Sequence, residues 1–174
     1  MYDEKKWNRA AEFHGHKCPG LAIGFKAVEA VTAHRPAAAA KDEEIVCVTE
    51  NDSCAADAVQ ALLGCTFGKG NLIYKPLGKM AFSFYFRESG TGLRVYFKDE
   101  NSRNLDRSAY IDYLLNAPAD SLFDIGTPSA PCPERARIFR SVPCTGCGEK
   151  AREDKIRLKD GNPYCLACFD EYDR

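Results

Sequence analysis

Four cysteines near the end of the chain stand in two closely spaced pairs. Cys144 and Cys147 form the first pair, Cys165 and Cys168 form the second, and seventeen residues separate the two pairs. Four thiolates at this spacing can surround one Zn²⁺ tetrahedrally, because a two-residue gap lets a tight turn direct both sulfurs of a pair toward the same ion. Two redox-active Cys-x-x-Cys pairs are the alternative. The spacing favours a structural zinc.

The residues around these pairs predict a small zinc ribbon over residues 144–174. Gly148 follows the first pair, where a backbone turn of this kind often needs positive φ. Asp160-Gly161-Asn162 is typical of a hairpin turn between two short strands. A module of about 30 residues cannot fold on a core of its own, so the metal would supply the folding energy. Such a ribbon could also be an adaptor for nucleic acid or protein, but six basic against seven acidic residues over 141–174 argue against nucleic acid.

Two histidines and one cysteine lie within five positions near the start of the chain, at His14, His16 and Cys18. Pro19 predicts a helix that begins directly after Cys18. The partial positive charge at a helix N-terminus favours the thiolate, which is the form that ligates metal or attacks an electrophile. Cys54 likewise lies at the start of a second predicted helix.

We expect His16, Cys18 and Cys54 to converge on a second metal ion, with His14 or Cys65 as a fourth ligand. Histidine and cysteine ligands suit zinc and other borderline or soft transition metals. An incomplete set of protein ligands would leave a coordination position open, as catalytic and ligand-binding sites do. Two alternatives stay open: Cys18 or Cys54 could be the nucleophile of an enzyme with a neighbouring histidine as base, or these cysteines could be small buried hydrophobes.

The elements that must position these residues predict an α+β domain over residues 1–126. Its sheet is expected to be mostly antiparallel and packed with helices. The hydrophobic spacing predicts helices over 3–13, 19–34, 53–63 and 107–115, and strands over 44–50, 71–75, 80–86 and 93–97. Residues 127–143 hold four of the nine prolines, which predicts an extended linker. Within that linker, residues 135–140 could form a short edge strand.

The composition excludes several classes of protein. Lys and Arg number 24 against 25 Asp and Glu, which argues against a main role in binding a phosphate backbone. No window approaches the ~18 uninterrupted apolar residues of a membrane span, and the start of the chain lacks the pattern of a signal peptide. We therefore expect a cytoplasmic protein without a membrane span, whose nine cysteines serve metal ligation more than disulfides. An open-edged sheet rich in aromatic residues favours a homodimer.

Three motifs together resemble the FmdE-like family, which takes its name from formylmethanofuran dehydrogenase. They are His14-Gly-His16-x-Cys18-Pro-Gly20, Glu50-x-x-x-Cys54-x-x-Asp57-Ala-x-Gln60 and Gly64-Cys-Thr66-x-Gly68-x-Gly70-Asn-Leu72. The tail with its two cysteine pairs resembles the DksA/TraR-type zinc finger. The resemblance implies a metal-binding protein accessory to a molybdenum- or tungsten-dependent dehydrogenase of the formylmethanofuran or formate type. Its partner would be that oxidoreductase or the machinery that assembles it.

Overall fold

The computed structural model describes residues 2–98 and 105–171 and divides the chain into two compact units, Met1–Ala136 and Arg137–Arg174. The first unit is an α+β domain, which confirms the predicted fold class. Its helices are α1 (Glu4–His14), α2 (Pro19–His34), α3 (Ala55–Leu63), α4 (Arg107–Asn116) and α5 (Ala119–Leu122). Its strands are β1 (Ile45–Thr49), β2 (Leu72–Tyr74), β3 (Ala81–Phe86), β4 (Thr91–Phe97) and β5 (Phe123–Gly126).

The five strands form one sheet in the order β2-β1-β3-β4-β5. β1 pairs in parallel with β2, and the other three neighbouring pairs are antiparallel. Side chains alternate between the two faces of a sheet, so Cys47, Phe82 and Phe84 join the main core, whereas Val46 and Tyr85 belong to a small cluster of their own. The main core also contains the buried faces of the helices. Among the described residues, no helix combines the length and the apolar character that crossing a bilayer requires.

α2 packs very closely against the start of α3, because two residues of α2 have no side chain. A Cβ atom at Gly24 would lie 2.2 Å from the carbonyl oxygen of Ala55. One turn earlier, a Cβ atom at Gly20 would lie 3.2 Å from the Cβ of Cys54. The two glycines therefore bring Cys54, at the start of α3, next to the start of α2, where Cys18 is the N-cap residue.

One buried amide holds the glycine-rich loop of residues 64–71. Asn71 has no exposed surface, and its Oδ1 accepts a hydrogen bond from the backbone N–H of Thr66. Its Nδ2 donates to three backbone carbonyls, those of Asp42, Ile45 and Gly64. These bonds join the end of α3 to the start of β1, so the Asn71 amide stabilises the fold.

The proline-rich segment after β5 belongs to the first unit as far as Ala136. Arg87 donates hydrogen bonds to the backbone carbonyls of Pro133 and Glu134 and pairs with the buried Glu43 at 3.1 Å. The Glu43 carboxylate accepts from the backbone N–H of Ala136. Residues 135–140 form no strand, contrary to the edge strand considered above. Within that range the Glu43 carboxylate takes the backbone N–H of Ala136, which a strand would have used in a ladder.

The second unit consists of two hairpins. β6 (Ser141–Pro143) pairs with β7 (Lys150–Arg152), a 3₁₀ turn spans Glu153–Lys155, and β8 (Ile156–Lys159) pairs with β9 (Asn162–Cys165). Asp160 and Gly161 connect the second hairpin with φ values of 52° and 77°. Positive φ at both central residues is the requirement of a type I′ turn, which explains the Asp-Gly pair predicted as a turn. Over the described residues 137–171, only Cys144 is buried.

Candidate metal centres

The four tail cysteines meet at one point of the second unit. The Sγ atoms of Cys144, Cys147, Cys165 and Cys168 all lie within 4.8 Å of one another. The first pair occupies the turn between β6 and β7, and the second pair lies at the end of β9. Gly148 follows the first pair with a φ of 78°, as its position predicts. The two hairpins therefore present their cysteines as a tetrad.

Hydrogen bonds and neighbouring sulfurs make this tetrad suited to a cation. The backbone N–H groups of Cys165 and Gly146 donate to the Cys144 sulfur at 3.2 and 3.3 Å. Backbone N–H donors, with Cys165 foremost, lower the pKa of Cys144 to about 6. Hydrogen bonds with the thiols of Cys165 and Cys147 raise the pKa of Cys168 to about 12, and the charge of Cys144 adds a repulsion in the same direction. A divalent ion removes that repulsion, so the donor set fits zinc held by four thiolates.

A second cluster forms where α1 ends and α2 begins. Gly15 follows α1 in the left-handed region, with a φ of 91°, and this turn lets the chain reverse within a few residues. The ligand atoms of His14, His16 and Cys18 all lie within 4.8 Å of one another. The Cys18 sulfur accepts a hydrogen bond from the backbone N–H of Leu21 at 3.3 Å and lies 3.7 Å from Nε2 of His14. Cys18 is buried whereas His16 is exposed, so the cluster is open to solvent on the side of His16.

Cys54 lies beside this cluster, at the N-cap position of α3. The turn before it is held by Asn51, whose Oδ1 accepts from both the backbone N–H and the hydroxyl of Ser53. Partial burial and the neighbouring Cys18 thiol raise the pKa of Cys54. Its sulfur is outside the group of ligand atoms that lie within 4.8 Å of one another. The structure therefore brings His14, His16 and Cys18 together and places Cys54 next to Cys18.

Cys65, the other residue considered as a fourth ligand, lies in the hydrophobic core. It has no exposed surface, and its thiol donates to the backbone carbonyl of Ile45 at 3.6 Å. Burial raises its pKa to about 12. A thiol that stays protonated and is enclosed by the core is a poor metal ligand. Cys47 on β1 is likewise fully buried, as its alternation with valines predicts.

Asp57 contacts the histidine cluster, and its place in the sequence did not predict this contact with His14. Its Oδ2 lies 2.7 Å from Nδ1 of His14, and its Oδ1 accepts from Nε2 of Gln60 at 3.0 Å. The signal available in the sequence was the spacing of Cys54, Asp57 and Gln60, which places all three on one side of α3.

These features define a class of protein: an α+β domain with a His/Cys cluster between its first two helices, followed by a zinc finger with four cysteine ligands. Residues 13–124 match the family described as FmdE, molybdenum formylmethanofuran dehydrogenase operon. Residues 137–174 match the prokaryotic dksA/traR C4-type zinc finger. The chain belongs to the FmdE family, and its tail is a C4 zinc finger.

Two relatives show how far the similarity extends. A protein of Archaeoglobus fulgidus named probable S-adenosyl-L-methionine-binding protein is 32% identical over 94% of this chain and 52% of its own length. The chain thus spans about half the length of that relative. A crystal structure of a tungsten formylmethanofuran dehydrogenase FmdE-like protein from Syntrophus aciditrophicus is similar with a TM-score of 0.70 and 23% identity, over 95% of this chain and 90% of that one. The similarity to this crystal structure supports the fold of the chain.

Proposed function

We propose that the FmdE domain binds zinc or another transition metal through His14, His16 and Cys18, in addition to the zinc of the tail. The observation that carries this proposal is the convergence of two imidazoles and one thiol within 4.8 Å. Imidazole and thiolate are suitable donors for zinc and its neighbours in the transition series. Three protein ligands leave a fourth position for an exchangeable group, as in reactive metal sites.

We propose that Cys54, whose thiol lies beside Cys18 at the start of the neighbouring helix, occupies the fourth position and gives it up to an exchangeable group. The exposed ring of His16 supports exchange with solvent, since an ion can enter and leave on that side. This centre therefore differs in kind from the tail tetrad, in which four thiolates leave no position open.

The wider role we propose is that of a cytoplasmic accessory protein to a molybdenum- or tungsten-dependent oxidoreductase, of the formylmethanofuran or formate dehydrogenase type. The description of the family supports this link, as does the name of the similar Syntrophus aciditrophicus structure. We expect the protein to act as a homodimer and to meet its partner enzyme, or the machinery that assembles it, through protein contacts. In the tail, Arg152, Lys155 and Lys159 each pair with an aspartate, which leaves less free positive charge for nucleic acid.

Metal analysis of the purified full-length protein tests the second centre. The expected content is two ions per chain, reduced to one by Cys18→Ser or by a double change of His14 and His16 to alanine. Cys132→Ser is the matched control, because Cys132 is an exposed cysteine outside both clusters, and it should leave both ions bound. One ion per chain in the unaltered protein, unchanged by Cys18→Ser, would refute the second centre.

The oxidoreductase link needs a separate measurement. Sedimentation of the protein with a purified formylmethanofuran or formate dehydrogenase should show a joint boundary, and sedimentation alone should show a dimer. Independent boundaries at concentrations well above the micromolar range, with and without metal, would count against the accessory role.

A second candidate function is an enzyme in which Cys18 is the nucleophile. The observation in its favour is a line of three groups: Asp57 lies 2.7 Å from one nitrogen of His14, and the other nitrogen lies 3.7 Å from the Cys18 sulfur. A nucleophile, a base and a group that orients the base are the parts such chemistry requires. In protein without the second ion, iodoacetamide should then alkylate Cys18 faster than Cys132, and His14→Ala should abolish the difference. Equal rates in the unaltered protein would exclude this candidate.

A further inference from the structure

We infer that Asp57 and Gln60 are positioning residues that fix the His14 imidazole with its Nε2 directed at the metal position, an inference that rests on the proposed metal function of the cluster. His14 ends α1, whereas Asp57 and Gln60 come from α3, 43 residues or more further along the chain. The contact between them joins the two helices on either side of the cluster.

The two ring nitrogens of His14 have different neighbours. Nδ1 lies 2.7 Å from the Asp57 carboxylate, and Nε2 lies 3.7 Å from the Cys18 sulfur. An ionised carboxylate can only accept hydrogen bonds, so the proton of a neutral His14 ring belongs on Nδ1. Nε2 then carries a free lone pair on the side of Cys18. That is the form of imidazole that ligates a metal ion.

Gln60 holds the Asp57 carboxylate itself. Its Nε2 donates to Oδ1 of Asp57 at 3.0 Å, so both carboxylate oxygens have a partner. Asp57 and Gln60 are three residues apart on α3 and therefore face the same side of that helix. The side chain of His14 is 10% exposed and that of Asp57 is 35% exposed. Asp57 alone would keep rotational freedom at this exposure, and Gln60 restricts it to the orientation that meets His14.

The contact with Asp57 should strengthen metal binding by His14. A carboxylate that accepts from the second nitrogen of a ligating histidine raises the basicity of the ring and holds its orientation. Loss of such a partner typically costs 10–100-fold in metal affinity. Asp57→Asn keeps the size of the side chain but can present an amide donor to Nδ1. That donor favours the ring form with its proton on Nε2, which cannot bind the ion.

The experiment compares the unaltered full-length protein with Asp57→Asn, Gln60→Ala and the control Asp124→Asn. Asp124 is an exposed aspartate that pairs with Lys98 on the sheet. Zinc affinity of the second centre is measured by competition with a chelator while the tail keeps its zinc. The proton position on the His14 ring is measured separately by long-range ¹H–¹⁵N correlation, in protein without the second ion and under conditions in which the imidazole is neutral. Thermal unfolding of each variant reports any purely structural effect.

We expect about 10–100-fold weaker zinc binding for Asp57→Asn, a smaller loss for Gln60→Ala, and no change for Asp124→Asn. The NMR measurement should place the His14 proton on Nδ1 in the unaltered protein and on Nε2 in Asp57→Asn. A proton on Nε2 in the unaltered protein would overturn the inference, and so would zinc affinity within twofold of the unaltered protein in Asp57→Asn. A lower unfolding temperature with an unchanged ring form and affinity would show a structural role only and would also overturn it.

The two proposals fail in different ways. If the unaltered protein binds no second ion, the proposed metal function fails, and the inference that Asp57 directs Nε2 at a metal fails with it. If the second ion binds but the variants do not alter its affinity, the metal function stands and only the positioning role fails.

Discussion

Removing zinc from the tail, either by a chelator or by Cys147→Ser, should unfold residues 137–171 and leave the FmdE domain folded. The reason is the distribution of buried surface. Within the described part of the second unit only Cys144 is buried, and its large apolar side chains Ile138, Leu158 and Leu166 are more than half exposed. Burying one apolar side chain contributes only about 1.5–3 kcal/mol, so this unit has little hydrophobic stabilisation of its own.

The size of the effect follows from comparing this small hydrophobic stabilisation with the free energy that zinc binding contributes. Structural zinc in small fingers contributes about 10–16 kcal/mol, which is comparable to the whole free energy of unfolding of a typical domain, about 5–15 kcal/mol. The zinc therefore supplies most of the stability of the second unit. The FmdE domain has a core that includes the fully buried Trp7, Phe25 and Phe82, and it does not depend on this ion.

Limited proteolysis with trypsin measures the effect on the full chain, because the second unit has cleavable residues throughout its hairpins. They are Lys150, Arg152, Lys155, Arg157 and Lys159. Cleavage there should accelerate more than about tenfold in the variant, since a loss of 1.4 kcal/mol already changes an equilibrium by that factor. Cys147 is exposed, so the serine removes a ligand without leaving a cavity, and the equally exposed Cys132→Ser is the matched control. If mass spectrometry verifies loss of the ion and this segment is still protected from trypsin, zinc does not supply the stability of the second unit.

Three further predictions concern the FmdE domain. Gly24→Ala should lower the free energy of unfolding by about 1–3 kcal/mol, because the new Cβ overlaps the backbone of α3. Urea denaturation measures this loss. The control Gly68→Ala should show no comparable loss, because the new Cβ there has open space around it. Asn71→Ala should cost about 3 kcal/mol or more in the same assay, because three carbonyls lose a buried donor, and a loss below 1 kcal/mol would contradict this account of the loop. The raised pKa of Cys65, about 12 against an ordinary 9.0, means that the unfolded chain releases this proton first as the pH rises. The stabilisation from the buried Cys65 thiol is therefore complete below pH 9 and decreases above it. In urea denaturation, the free energy of unfolding of Cys65→Ala should fall less above pH 9 than that of the unaltered protein. Equal falls in the two proteins would contradict a raised pKa at Cys65.

Local pattern alone predicted most of the secondary structure of the FmdE domain. The helices and strands assigned from the sequence begin and end within two residues of those in the structure. The start of α2 at Pro19 and the end of α3 before Gly64 depend on residues whose backbone preferences act within one turn. The Asp160-Gly161 turn could be predicted for the same reason.

The arrangement of the sheet and the course of residues 127–136 depended on contacts between distant segments. β1 and β2 are parallel neighbours in the sheet, although α3 lies between them in the chain. The register of β1 against β2 depends on how both strands pack against the core. Arg87 and Glu43 hold the proline-rich segment through backbone groups 44 or more residues away in the sequence. No periodicity in the segment itself indicates those bonds.

Local spacing is enough to predict the ligand tetrad of the tail, because each Cys-x-x-Cys pair encodes its own turn and the ion joins the two pairs. Spacing also predicts that His14, His16 and Cys18 are neighbours, since they lie within five positions that include a glycine turn. Which further residues belong with them depends on how the helices pack. Cys54 and Cys65 flank the same helix, and the packing of that helix places the first beside Cys18 and the second in the core. Asp57 reaches His14 for the same reason: α3 packs beside the end of α1, and contacts between separate helices are set by burial of their apolar faces rather than by spacing along the chain.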